Sequence, residues 1–177
     1  MRIAISGTSG SGKSTVAKIL AKELNYKHYS MGDFMRAIAS EKGISLLDIG
    51  KLAEKSKELD EKIDEKQKSL NKEDNFVIDS RLGAFFIEES IKIFLDADLK
   101  TRAKRIMKDT REHEKNENLK KTIINIKKRE KSEIERYKKY YNLNCYDKTK
   151  FDKVIDTTNS DIEGIVEQIM SFLKKRK

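Results

Sequence analysis

The sequence predicts an α/β chain, a five-stranded parallel sheet with helices on both faces. Three observations carry that prediction. Short apolar runs alternate with helical stretches from end to end, as successive strand–helix–strand crossovers require. A glycine-rich turn, residues 7–14, stands between the first strand and the first helix. The length, 177 residues, suits a single α/β domain with room for insertions.

Residues 2–6 read as a short buried strand, with Ile3, Ala4 and Ile5 in succession. Residues 13–24 read as a helix, since Val16, Ile19, Leu20 and Leu24 recur at helical spacing. A weaker strand falls at 28–30, and a helix at 33–42 carries Phe34 and Ile38 on one face before Gly43. Residues 45–72 hold two further helices, marked by Leu46, Leu47, Ile49 and Leu52 and then by Leu59, Ile63 and Leu70. Strands follow at 75–79 and 91–96, a helix at 100–108, a polar stretch at 109–121 and a long basic helix from about 122 to 141. The fifth strand is 153–156, and the closing helix, 162–175, turns Ile165, Ile169, Phe172 and Leu173 inward. Two charged stretches, about 45–72 and 109–136, exceed what tight connections need and read as insertions able to move over a ligand. There is no internal repeat and no low-complexity linker.

The turn Gly7-Thr8-Ser9-Gly10-Ser11-Gly12-Lys13-Ser14 satisfies the phosphate-binding pattern G-x-x-x-x-G-K-[ST] in full, with a strand before it and a helix after it. Glycines let the backbone turn tightly, so that its N–H groups converge on phosphate oxygens, and the helix adds its positive dipole end. Lys13 is placed to reach the β- and γ-phosphates of ATP, and the Ser14 hydroxyl to join a Mg²⁺ shell. Residues 7–15, Thr15 included, form the expected ATP-binding set. The strand at 75–79 ends in Asp79, a carboxylate suited to anchoring Mg²⁺ or its waters.

Beyond the turn, Ser30-Met31-Gly32-Asp33-Phe34-Met35-Arg36 resembles the S-x-G-D-x-x-R segment of adenylate kinases. The resemblance implies that Arg36 clamps the phosphate of a monophosphate acceptor, with Ser30, Gly32 and Asp33 beside it. The run 76–83, Phe-Val-Ile-Asp-Ser-Arg-Leu-Gly, followed by Lys92-Ile93-Phe94-Leu95-Asp96-Ala97, resembles cytidylate kinases, and the archaeal type most closely. Arg81 is then a second acceptor-phosphate arginine. Residues 128–137 resemble the lid segment R-x-x-x-[DE]-x-x-R of that family, which singles out Arg129, Glu133 and Arg136. Val154-Ile155-Asp156-Thr157-Thr158 resembles its last strand, and 59–67 its middle helices.

The resemblance spans nearly the whole chain. It implies a three-layer P-loop kinase fold over residues 1–177, with an NMP-binding helical insertion at about 30–72 and a short lid at about 109–136. It also implies ATP-dependent phosphorylation of CMP, and of dCMP, with Mg²⁺. Helix geometry supports the lid independently: Arg129, Glu133 and Arg136 are spaced by four and three residues and share one face. Two positions depart from the pattern. Bacterial cytidylate kinases read cytosine with an aspartate where this chain has Leu82, which leaves Asp60, Asp64 and Gln67 as candidates to hydrogen-bond the base edge. Related kinases pack an arginine at the position of Arg105 on the donor base. The partner arginine expected four residues later is Asp109 here, with Arg111 as the candidate replacement.

Composition narrows the classes further. One cysteine, Cys145, excludes an internal disulfide. The apolar run at the start is too short for a signal peptide, and no stretch reaches the length of a membrane span. A soluble, cytoplasmic monomer with no membrane partner is the expectation. A formal charge of +9 invites nucleic acid as a partner. The excess is mostly lysine, accompanied by much Ile and Asn, which reads as a codon bias, and a site for two phosphorylated nucleotides needs cations in any case; no nucleic acid is expected. The other classes that share the cradle are an adenylate kinase, another small-molecule kinase, and a basic RNA-associated ATPase.

Overall fold

A computed structural model describes residues 1–109 and 118–176. The strands are β1 (Arg2–Gly7), β2 (Lys27–Ser30), β3 (Phe76–Asp79), β4 (Ile91–Asp96) and β5 (Lys153–Asp156). They form one sheet in the order β2-β3-β1-β4-β5, with every pairing parallel. The described helices are α1 (Lys13–Glu23), α2 (Met31–Glu41), α3 (Leu46–Lys55), α4 (Glu58–Ser69), α5 (Gly83–Phe86), α6 (Leu99–Lys108), α7 (Leu119–Tyr141) and α8 (Ile162–Lys174).

The period-2 alternation of strand side chains divides the core into two layers. Ile3 and Ile5 of β1, with Val77, Ile93, Leu95 and Ile155, pack against Val16 and Leu20 of α1 and against Ile165 and Ile169 of α8. On the opposite face Ala4, Phe76 and Ile78 pack with Met31, Leu70, Ala84 and Ile87. A strand buried on both faces reads as an unbroken apolar run, which is how β1 appears in the sequence. Each fully buried aliphatic chain of this core contributes about 1.5–3 kcal/mol.

The strand order sets where a ligand can lie. From β1 the chain crosses to β2, beyond β3; after β3 it returns to β4 on the other side of β1. The crevice at the carboxyl end of β1 is therefore a topological switch point, the usual ligand site of open parallel sheets.

Several boundaries move for identifiable reasons. Helix α2 begins at Met31, ahead of the expected 33, because the Ser30 hydroxyl accepts the Asp33 N–H at 3.2 Å and caps it. Helix α7 begins at Leu119, ahead of the expected 122, because the Asn118 side chain accepts the Lys121 N–H at 2.9 Å. Among the described residues two elements have no counterpart in the sequence reading: α5, and the 3-10 turn Lys148–Lys150. Both are too short to carry a periodicity. Among the described residues no helix is long and apolar enough to cross a membrane.

Candidate active site

The turn after β1 is shaped by backbone that only glycine permits. Gly7 and Gly10 have φ of 150° and 79°. A Cβ on Gly7 would lie 2.1 Å from the Leu95 carbonyl oxygen, and one on Gly10 would lie 2.6 Å from that of Arg102. The turn delivers the chain into α1 at Gly12, where no side chain caps the helix. The first-turn N–H groups thus meet the cavity at the positive end of the helix dipole.

That cavity, about 1410 Å³, runs from the phosphate turn to α4 and α7. Six of the predicted turn residues line it, Ser9, Gly10, Gly12, Lys13, Ser14 and Thr15. Gly7, Thr8 and Ser11 lie beneath as framework. The Thr8 hydroxyl donates to Asp96 Oδ1 at 2.9 Å, and Ser11 Oγ to the Thr8 carbonyl at 2.9 Å. Burial, and then the Arg81 guanidinium, drives the Lys13 pKa well below the ordinary lysine value, against the pull of Asp79. An anion bound in the turn would reverse that penalty.

Arg81 bridges the turn to α7. Its guanidinium donates to the Gly7 carbonyl, to Ser9 Oγ at 2.7 Å and, through Nε, to Glu133 Oε2 at 2.8 Å. Glu133 also accepts from Arg129 Nε at 3.1 Å and from the Tyr146 hydroxyl. Burial works to raise the Glu133 pKa, but Arg81 and Arg129 outweigh it and hold the carboxyl well below its usual range. Behind this cluster, Cys145 packs with Leu82 and Tyr137. Burial and the Glu133 charge push its thiol up to about 12, so it is inert filling rather than a nucleophile.

The acceptor side is built by α2, α4 and α7. Arg36 lines the cavity over Gly32 and pairs with the exposed Asp33. Asp60, Asp64 and Gln67 are buried on one face of α4, and all three reach the cavity. Asp60 Oδ2 lies 3.2 Å from Arg136 Nε, at an angle too poor for a hydrogen bond, so charge holds that pair. Burial raises the Asp60 pKa to about 6 against the pull of Arg136. Asp64 accepts from the Tyr141 hydroxyl, and Gln67 from Ser80 Oγ.

The Ser14 hydroxyl donates to Asp79 Oδ1 at 2.8 Å. Burial works to raise the Asp79 pKa, but His28, Lys13 and Ser14 outweigh it and keep the carboxylate ionised. These hard oxygen donors fit Mg²⁺. Across the turn, Arg105 donates to the Thr157 carbonyl at 2.6 Å and to its hydroxyl at 3.0 Å, which holds the guanidinium at the cavity wall.

Most predicted site residues therefore meet in one cavity. Ser30 and Asp33 do not line it: Ser30 caps α2 and reaches Asp79 at 3.3 Å, and Asp33 braces Arg36. Arg111 lies outside the described residues, as does most of 109–121. Sequence reasoning missed His28, whose Nε2 lies 2.9 Å from Asp79 Oδ2, as well as Ser80, Tyr141 and Thr157. Ser80 and Thr157 sit in quoted segments and were within reach; nothing about His28 in the sequence points across to β3.

Residues 2–159 match the cytidylate kinase-like family. The chain belongs to that family. It is similar to the cytidylate kinase of Methanocaldococcus jannaschii, 38% identical across 100% of this chain and 99% of the relative. It is likewise similar to that of Sulfurisphaera tokodaii, 39% identical across 98% and 97%. The solved shikimate kinase from Bacteroides thetaiotaomicron shares the fold alone, with a TM-score of 0.66 at 17% identity over 98% of each chain. The expected P-loop kinase fold and the family resemblance are both borne out, and the chain is a nucleoside-monophosphate kinase.

Proposed function

We propose that this cytidylate kinase-like chain transfers the γ-phosphoryl group of ATP to CMP, and to dCMP. The observation that carries this reading is one cavity holding Lys13 at one end and Arg36, Arg81, Arg129 and Arg136 along the rest. A phosphate turn needs one lysine; four more cations argue for a second phosphorylated ligand opposite it.

In this reading residues 7–15 and Arg105 hold ATP, and Arg36 and Arg81 hold the CMP phosphate. Arg129 and Arg136 neutralise the transferring group, and Glu133 keeps Arg81 and Arg129 aligned. Ser30, Gly32 and Asp33 shape the Arg36 segment, while Asp60, Asp64 and Gln67 face the base. Ser14 and Asp79 would hold Mg²⁺, which when bound neutralises phosphate charge.

An oxygen of the CMP phosphate attacks the γ-phosphorus, the bond to the β–γ bridging oxygen breaks, and ADP leaves with that electron pair. A phosphate monoester has its second pKa near 6, so at neutral pH it is already an anionic nucleophile. No general base is required. Positioning and charge neutralisation suffice. The insertion at about 30–72 and the lid at about 109–136 would close over both nucleotides and exclude water as a competing acceptor. The enzyme is further read as a cytoplasmic monomer.

The test is ADP release across AMP, CMP, dCMP, UMP, GMP and TMP, with and without added RNA. CMP is expected to give the highest kcat/KM, dCMP to follow, and RNA to change nothing. AMP outpacing CMP would overturn the substrate and leave the reaction class standing.

A further inference from the structure

A hydrogen-bond relay fixes which end of the Gln67 amide is available to a ligand. Ser80 Oγ accepts the backbone N–H groups of Leu82, at 3.2 Å, and Gly83, at 3.1 Å. A hydroxyl has two acceptor sites and one hydrogen, so both sites are taken and the hydrogen must go to an acceptor. It goes to Gln67 Oε1. Turning the amide over would set an NH2 against an oxygen already saturated with donors and would orphan the hydroxyl hydrogen. Gln67 is thereby committed to pointing its Nε2 donors elsewhere.

That nitrogen is buried and has no acceptor among the described residues, although Gln67 belongs to the cavity wall. A buried donor without a partner is costly, and the cost disappears when a ligand brings an acceptor. One helical turn earlier on α4, three residues away, Asp64 lines the same cavity with a carboxylate that accepts from Tyr141. Side chains at that spacing are neighbours. A carboxylate has further lone pairs beyond the one Tyr141 uses. The wall thus presents an acceptor beside a donor of fixed polarity.

We propose that Ser80 is a polarity lock on Gln67, and that Gln67 and Asp64 together select acceptor bases in which an exocyclic amino group adjoins a ring-nitrogen acceptor. The inference rests on the nucleoside-monophosphate reading above and deepens it. Cytosine offers that edge, with its amino group to Asp64 and its ring nitrogen to Gln67 Nε2. Uracil offers the reverse order, a keto oxygen beside a ring N–H, and would meet the carboxylate with an acceptor and the amide with a donor. Adenine shares the cytosine order, so the lock does not separate AMP from CMP; size must.

The experiment compares wild type, Ser80→Ala and Gln67→Glu, measuring kcat/KM with CMP, UMP and AMP and CMP and UMP dissociation constants by calorimetry. Releasing the lock in Ser80→Ala lets the amide turn and accept the uracil N–H. The CMP:UMP ratio should then fall by roughly tenfold, through KM, while the AMP:CMP ratio holds. Gln67→Glu leaves the Ser80 hydroxyl an acceptor, removes the NH2 donor and should lower the CMP:UMP ratio at least as far. It carries the test alone if Ser80→Ala does not fold. Losses of equal factor for CMP and UMP would make the relay structural only and overturn the lock. A wild type that phosphorylates no nucleoside monophosphate would instead overturn the underlying reading.

Discussion

The phosphate turn and the wall formed by α4, α7 and the Arg81 segment after β3 hold positive charge in opposite ways. The turn is backbone, fixed by glycines whose added Cβ atoms would collide with carbonyl oxygens, and its one lysine is buried where its charge is disfavoured. The wall is side chain, and its arginines are matched to carboxylates: Arg81 and Arg129 to Glu133, and Arg136 to Asp60. A phosphate reaching the turn relieves an existing electrostatic penalty. One reaching the wall must compete with a carboxylate that already holds the arginine. Substitutions in the turn should therefore appear in rate with little loss of fold, and substitutions in the wall should appear in stability as well.

The sharpest test of that contrast is Lys13→Ala. Loss of one preorganised charge at the transferring group is expected to lower kcat by about 10²–10³-fold or more. Because the buried ammonium is disfavoured in the free protein, the melting temperature should hold or rise. Arg36→Ala should also lower turnover by orders of magnitude, with a raised KM for CMP and an unchanged KM for ATP. Steady-state kinetics with each nucleotide varied in turn, alongside thermal melts, checks both. Activity near wild type in either variant removes that residue from the mechanism.

Glu133→Gln tests the other side of the contrast. It leaves Arg81 buried without its counter-charge, and breaking a buried pair costs about 3–5 kcal/mol. The Glu133 pKa is held below its unfolded value, so its contribution to stability is present above the unfolded pKa and is lost as pH falls toward the folded one. Urea unfolding should show a large deficit in the variant at pH 7 that narrows progressively below about pH 5. A deficit of the same size at pH 7 and pH 4 would mean that the charge of Glu133 is not what stabilises the cluster.

The same contrast explains how far the sequence could be read. Ile3 to Ser14 is local: an apolar strand, glycines at set offsets and a helix, each visible within a few residues of the others. The wall is assembled from distant positions. Asp60 meets Arg136, Asp64 meets Tyr141, and Gln67 meets Ser80 across packing that no spacing reports. Family resemblance supplied Arg36, Arg81, Arg129 and Arg136 as individuals. It did not supply Asp60 as the partner of Arg136, and the helical spacing alone set Arg136 beside Glu133. His28 on Asp79 is contact between adjacent strands, and it became visible only once β2 was paired with β3.

The smallest expected effect concerns Asp60, and it turns on a sign. Its folded pKa, about 6, lies above the ordinary 3.8 because burial disfavours the charge more than Arg136 favours it. Below about pH 4 the carboxyl is protonated in both folded and unfolded chains, and above about pH 6 it is ionised in both. Between those limits the folded chain binds more protons, so this group makes the protein less stable as pH rises. Asp60→Asn cannot titrate, and whatever it loses in pairing with Arg136 is a constant offset. The difference in melting temperature, wild type minus variant, should therefore fall as pH rises from 4 to 6 and then level off. For a domain of this size each kcal/mol moves the melting temperature by about 2–4 °C, so thermal melts in half-unit steps resolve the trend. A difference that climbs with pH would mean the ion pair with Arg136 overcomes burial. The wall would then hold its charges as favourably as the Glu133 cluster does, and its contrast with the turn would widen.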